Sequence, residues 1–267
     1  MTIGLTLFAA VARAQSPPPA PSDDEQQRVL RTVAQFAQGY LDRLPNFTCV
    51  RTTQHYVASP TTRRWREEAK TAYELSYYER DEHYKLISVD DEPVKKVPAR
   101  SKYDGWMEMS GNFGWILKQL FDPGVHPHFT WHGWDSAQGK RAMVFSYRIS
   151  LAESHAVSTT CGTWLIFSTC KDKNYAFHGL LYVDANSLDI LRIEDVPDGL
   201  PANYFQGNTS VDYGRVTVAG SEYLLPVADR IETTAGKTLF RNDSVYKDYR
   251  KFVAESTLKA DTESEVP

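Results

Sequence analysis

Between residues 177 and 231 apolar and polar positions alternate with a period of two. Leu180, Tyr182 and Asp184 alternate with Leu181 and Val183, Ala185-Asn186-Ser187 interrupts the run, and Ile190, Leu191 and Ile193 resume it. Successive side chains of a strand point to opposite faces, so this stretch predicts a β-hairpin. Residues 210–220 and 222–234 repeat the pattern on either side of a predicted Gly220-Ser221 turn. The result is an antiparallel meander around which the rest of the chain is organised.

A different period opens the chain. Val29, Val33, Phe36, Tyr40 and Leu44 step along one helical face that Leu30, Ala37 and Leu41 widen. Ser22 with Glu25 three residues on is a capping-box pattern, Asp23 and Asp24 suit the first turn, and Leu44-Pro45 ends the run. The spacing predicts one helix over 23–44, of about five turns, which needs a sheet to lie on.

Strand patterns follow at 47–57, 65–78 and 83–89, with polar turns at 79–82 and 90–93. Their charged positions suggest a sheet with one wet face, the habit of antiparallel sheets. Residues 106–121 break the alternation; Trp115, Leu117, Leu120 and Phe121 resemble a helical face that Asp122-Pro123-Gly124 stops, so a short second helix is expected there. Strands are predicted at 129–134 and 142–149 around an Ala-Gln-Gly turn, and near 238–242. The run 246–258 fits both periods and is read as strand. No internal repeat of fixed period is visible. The fold class is therefore α+β, with an antiparallel sheet and two helices.

Composition narrows the function. A chain of 267 residues with 42% apolar positions can form one large core. The formal charge of −4 gives no electrostatic footprint for nucleic acid or an anionic membrane. At the N-terminus an apolar core from Ile3 to Val11 precedes Ala12-Arg13-Ala14, a small-x-small cleavage pattern that would leave Gln15 first. Because a basic start is missing, residues 1–14 read either as a truncated signal peptide or as a chance apolar N-terminus. Residues 15–22 form a proline-rich linker, 23–258 a single domain, and 259–267 a charged tail expected to be disordered. No stretch has the length of apolar residues that a spanning helix requires, so the chain is not expected to be transmembrane.

Cys161 and Cys170 lie close enough in sequence to be bridged across a hairpin in an oxidising space; three free thiols in a reducing one is the alternative. Cys49 is expected to be buried as a small hydrophobe. The sharpest chemical candidate is His126, His128 and His132, since His-x-His places two imidazoles on one face of a strand. A zinc site would need a further ligand, and only Asp122 and Asp135 lie nearby, so an aromatic and histidine turn is the preferred reading. Serine-nucleophile elbows, His-Glu-x-x-His, Walker loops and dinucleotide-binding glycine motifs are absent. No cofactor is expected. Asp90-Asp91 and Asp23-Asp24 read as a turn and a helix start.

The hairpin carries Gly179, Leu181, Val183 and Asp184, then Leu191, Arg192 and Ile193. In this and in its element order the chain resembles the periplasmic lipoprotein-carrier superfamily of LolA, LolB and the RseB type. Leu44-Pro45-Asn46-Phe47-Thr48-Cys49 is also similar to a start found in exported proteins of environmental bacteria, which implies no activity. The superfamily resemblance implies a curved, half-barrel sheet wrapped around the N-terminal helix and the short second helix. It further implies a periplasmic or secreted, monomeric, non-enzymatic carrier of a lipid, acyl chain or apolar segment of a lipoprotein, with Trp106, Trp115 and Phe121 as candidate ligand contacts. The alternatives are a metal-dependent hydrolase built on His126, His128 and His132, and an envelope scaffold with no ligand.

Overall fold

The predicted strands form, the last two merging into one, and strands at Glu92–Pro93, Val157–Trp164 and Phe167–Asn174, which the pattern did not mark, bring the number to thirteen in the computed structural model, which describes residues 18–94, 113–122, 124–164, 167–200, 207–235 and 237–252. The predicted signal segment, Trp106 and the tail 259–267 lie outside these residues. The strands are β1 (Phe47–Ala58), β2 (Arg66–Tyr78), β3 (Asp81–Val89), a short β4 (Glu92–Pro93), β5 (His128–Ala137), β6 (Lys140–Ile149), β7 (Val157–Trp164), β8 (Phe167–Asn174), β9 (Ala176–Asp184), β10 (Ile190–Asp198), β11 (Gly207–Val218), β12 (Ser221–Ala235) and β13 (Thr238–Lys251). Eleven of them form one antiparallel sheet in the order β4-β3-β2-β1-β13-β12-β11-β10-β9-β6-β5; β7 and β8 pair separately. The sheet is open, with β4 and β5 at its edges.

The two ends of the chain meet in mid-sheet, where β1 pairs with β13 from Phe47 opposite Lys251 to Ala58 opposite Leu239. That pairing makes the doubly periodic C-terminal run strand as far as Lys251, because β13 is bonded on both sides, by β1 and by β12; residues 253–258 of the run lie outside the described residues. The expected Gly220-Ser221 turn moves back by one residue. Ala219 and Gly220 both take positive φ, 51° and 83°, the left-handed pair that a two-residue hairpin turn demands, and Ser221 becomes the first residue of β12.

The expected single helix over 23–44 is two. α1 (Asp23–Ala37) starts as expected, with Ser22 accepting from the Glu25 amide at 3.3 Å. α2 (Tyr40–Arg43) is a separate turn begun by the left-handed Gly39, φ 80°. The apolar spacing runs unbroken through the corner, which is why periodicity alone missed it. The second helix forms as α3 (Trp115–Phe121); residues 106–112 of the predicted segment lie outside the described residues.

One face of the sheet closes over these helices. Val29 and Val33 of α1, and Ile116, Leu117 and Leu120 of α3, pack with Phe145, Tyr147, Leu181, Ile193, Val211 and Tyr213 from β6, β9, β10 and β11. Each such side chain taken wholly out of water stabilises by roughly 1.5–3 kcal/mol. A second cluster, with Phe113 set among Phe47, Leu75, Tyr77 and Tyr246, anchors the chain just ahead of α3 to β1, β2 and β13.

Candidate functional site

The corner between α1 and α2 faces α3 across a crevice of about 360 Å³, lined by Ala37, Tyr40, Leu41, Leu117 and Phe121 and rimmed by Asp42, Arg80, Lys118 and Asp122. Its walls come from three places in the sequence. α1 and α2 bring Ala37 and Leu41, and α3 brings Leu117 and Phe121. Tyr40 is pinned from below by donating its hydroxyl to the Leu224 carbonyl at 2.7 Å. The helices approach closely where Gly114 precedes α3. A Cβ there would stand 2.1 Å from Leu41 Cδ2, so any larger residue would force Leu41 of α2 to move. An apolar slot with a charged rim, at the small end of the roughly 300–1,000 Å³ of ligand pockets, suits one end of an acyl chain or a single apolar side chain. Of the sequence candidates, Phe121 lines it. Trp115 opens α3, and Trp106 lies outside the described residues.

Away from the helices the same buried face turns polar. Arg51, Thr53 and His55 of β1 alternate inward and meet Tyr246, Ser244 and Asn242 of β13 by register. Arg51 lies 3.5 Å from Asp229 and 3.2 Å from Ser244 Oγ, while Tyr246 donates its hydroxyl to Asp229 at 2.6 Å. His55 is held at 2.8 Å by Asn242 through Nδ1 and at 2.8 Å by Thr71 through Nε2. Burial lowers its pKa to about 4, against the Asn242 bond, which raises it, so this ring is neutral at physiological pH. Nearer the helices, Tyr147 of β6 reaches over Gly179 to donate to the Glu194 carbonyl at 2.7 Å and to Asp195 Oδ1 at 3.2 Å. Any Cβ on Gly179 would meet that carbonyl at 1.8 Å, which keeps the path clear only for glycine. Burial raises the Asp195 carboxyl to about 7 despite the Tyr147 hydrogen bond.

The histidines lie on the other face. His128 and His132 alternate with Phe129 and Trp131, which pack on the core, and they share an outer groove of about 630 Å³ with His126, His178, Glu153 and Glu194. His126 precedes β5, which begins at His128, and the register shifts between Trp131 and Gly133 around His132. Among the described residues no three His, Cys, Asp or Glu side chains stand together so as to hold a metal ion. His126, His128 and His132 share this groove, and the aromatic and histidine turn stays the preferred reading over the metal alternative. His178 is engaged instead with Asp198, at 3.0 Å.

Cys49 is buried and free, as its strand context predicts, and burial pushes its thiol up to about 12, where it is inert as a nucleophile at neutral pH. Cys161 and Cys170 stand directly opposite each other in the β7–β8 register. The inward polar row was missed by sequence reasoning. Its only signal is the period-two run Arg51, Thr53, His55, which composition alone would assign to solvent.

No protein-family model matches the chain, and no curated protein matches it in sequence. Solved structures with a similar arrangement include a LolA superfamily protein from Nitrosomonas europaea, 11% identical with a TM-score of 0.40 over 84% of this chain and 94% of that one. A DUF1329 family protein from Desulfovibrio piger is 11% identical with a TM-score of 0.36, over 85% of this chain and 94% of its own. A domain from Vibrio parahaemolyticus named for outer membrane lipoprotein sorting is 8% identical with a TM-score of 0.36, over 86% and 93%.

Proposed function

We propose that this protein is an exported, monomeric, non-enzymatic carrier that shelters an apolar group, an acyl chain of a lipid or lipoprotein, between its helices and the apolar half of its sheet. The observation that carries the reading is the crevice between α2 and α3. Its apolar wall is built from helices of four and seven residues, and beneath it the sheet offers the side chains of β6, β9, β10 and β11 rather than a second sheet. Short helices draw their stability from tertiary packing, so α3 is a part of this core that a ligand can replace contact for contact. The export reading rests on the N-terminal pattern ending at Ala14.

The test is titration of the purified protein with a fluorescent fatty acid. Gln38 is exposed at the crevice, so Gln38→Trp should fill the slot while leaving the fold intact. Binding by the unsubstituted protein, weakened about tenfold or more by Gln38→Trp and by Phe121→Asp, is the expected result. Failure of the unsubstituted protein to bind the probe, or equal binding by all three proteins, would sink the carrier reading.

A further inference from the structure

The proline-rich lead-in to α1 is seated on the last strand of the sheet. Edge strand β5 carries Trp131 and Trp134, whose ring centroids are 5.3 Å apart at 77°. Arg141 of β6 holds its guanidinium carbon 3.8 Å from the Trp134 ring centroid, which fixes the plane of that indole. The indole Nε1–H donates to the Pro19 carbonyl at 2.9 Å. Gln26 of α1 donates from Nε2 to the Pro21 carbonyl, also at 2.9 Å.

Pro18, Pro19 and Pro21 have no N–H to offer a sheet edge, but their carbonyls remain free to accept. Such runs prefer the extended polyproline II form, and folded domains read it with aromatic grooves. Trp131, Trp134 and Arg141 supply these parts, and the sequence pattern had marked residues 15–22 only as a linker.

We infer that Trp131, Trp134 and Arg141 form a docking site for proline-rich extended segments, occupied in the resting chain by its own residues 18–21. The occupant is tethered through Ser22 to α1, and a short tether gives it an effective concentration of about millimolar. Weakly binding segments of the same chemistry are therefore shut out until the resident one is withdrawn.

The experiment uses the full chain and follows the Trp134 indole N–H by nuclear magnetic resonance. In a variant with Pro18, Pro19 and Pro21 all replaced by Ser, the indole resonance should move. Adding a peptide of residues 15–22, QSPPPAPS, should then bring it back, while the unsubstituted chain ignores the peptide. Trp134→Phe in the serine background keeps a ring but loses the donor, and with peptide binding to both serine-background proteins followed by calorimetry it should weaken binding by roughly two- to tenfold. An indole resonance indifferent to the serine substitutions would overturn the inference, and so would peptide binding that Trp134→Phe leaves intact. Rapid solvent exchange of the indole proton in the unsubstituted chain would overturn it without any variant.

Discussion

Asp195 gives the fold a pH dependence that can be worked out in advance. In the folded chain its carboxyl is raised by burial from 3.8 to about 7. The folded protein therefore keeps a proton between these values that the unfolded chain has already released. At 1.36 kcal/mol per pH unit the linked free energy is about 4 kcal/mol. The sign follows from proton counting: this contribution is complete below about pH 4, is lost as pH rises toward 7, and is flat above. His55 works in the opposite sense. Its folded pKa lies near 4, against an ordinary 6.5, so folding favours the neutral ring and stability is lost as pH falls from 6.5 toward 4. By the same conversion that is about 3 kcal/mol. The two slopes nearly cancel over the same range, and the unsubstituted protein should show a shallow profile that hides both.

Asp195→Asn separates them. Asparagine keeps an oxygen to accept from the Tyr147 hydroxyl but carries no titrating proton, so only the histidine slope should remain. Urea unfolding at several pH values between 4 and 8 measures this directly. The variant should gain stability relative to the unsubstituted protein as pH rises, by about 4 kcal/mol across the range. Parallel profiles for the two proteins would refute the reasoning, because they would mean that Asp195 titrates alike in the folded and unfolded chains.

Two further outcomes can be checked in the same way. Gly114→Ala should destabilise by about 1–3 kcal/mol through overpacking against Leu41, and Leu41→Ala in the same chain should relieve much of that cost in a double-mutant cycle; strict additivity would refute the contact. Cys161 and Cys170 are direct register partners in the antiparallel β7–β8 pair. Cα atoms of such partners stand about 4.5–5.5 Å apart, within the roughly 4.4–6.8 Å that a disulfide spans. Peptide mapping of protein recovered from an oxidising compartment should find the bridge, contributing about 2–3 kcal/mol, and free thiols at both positions would exclude it.

The sheet was legible because strand periodicity survives in nearly every strand, and the ambiguous final run was resolved only by its two neighbours, β1 and β12. What the pattern hid was hidden for identifiable reasons. Gly39 breaks the first helix without disturbing the spacing of Ala37, Tyr40 and Leu44. Arg51, Thr53 and His55 look like a wet face, yet they are buried because β13 and β12 supply Ser244, Asn242 and Asp229 at matching register. His126, His128 and His132 look like a ligand set, yet they share an outer groove with no three such side chains among the described residues grouped to hold a metal. Phe121 could be named from sequence as part of a site. Leu41, Gly114 and Leu117 could not, since the crevice exists only where α2 and α3 meet.

The division of the buried face restricts what a carrier of this shape can hold. Arg51 and Asp229 are wholly buried, and removing a charged pair from water costs several kcal/mol per ion unless each is met by its partner and by hydrogen bonds. Ser244 and Tyr246 supply such bonds, so a hydrocarbon laid across β12, β13 and β1 would have to displace them and would leave charge uncompensated. Over β6, β9, β10 and β11 most displaced contacts are Leu, Ile, Val and Phe side chains, with Tyr147 and Asp195 the polar exception, and away from that pair the exchange is apolar for apolar. In the proposed carrier an acyl chain would therefore take the half of the sheet beneath α1 and α3, in place of contacts those helices now make, with the crevice at Leu41 and Phe121 as the entrance on that side. The histidine groove, on the opposite face of β5 and β6, is separated from this path by the sheet itself, so substitutions at His128 or His132 should leave fatty-acid binding unchanged.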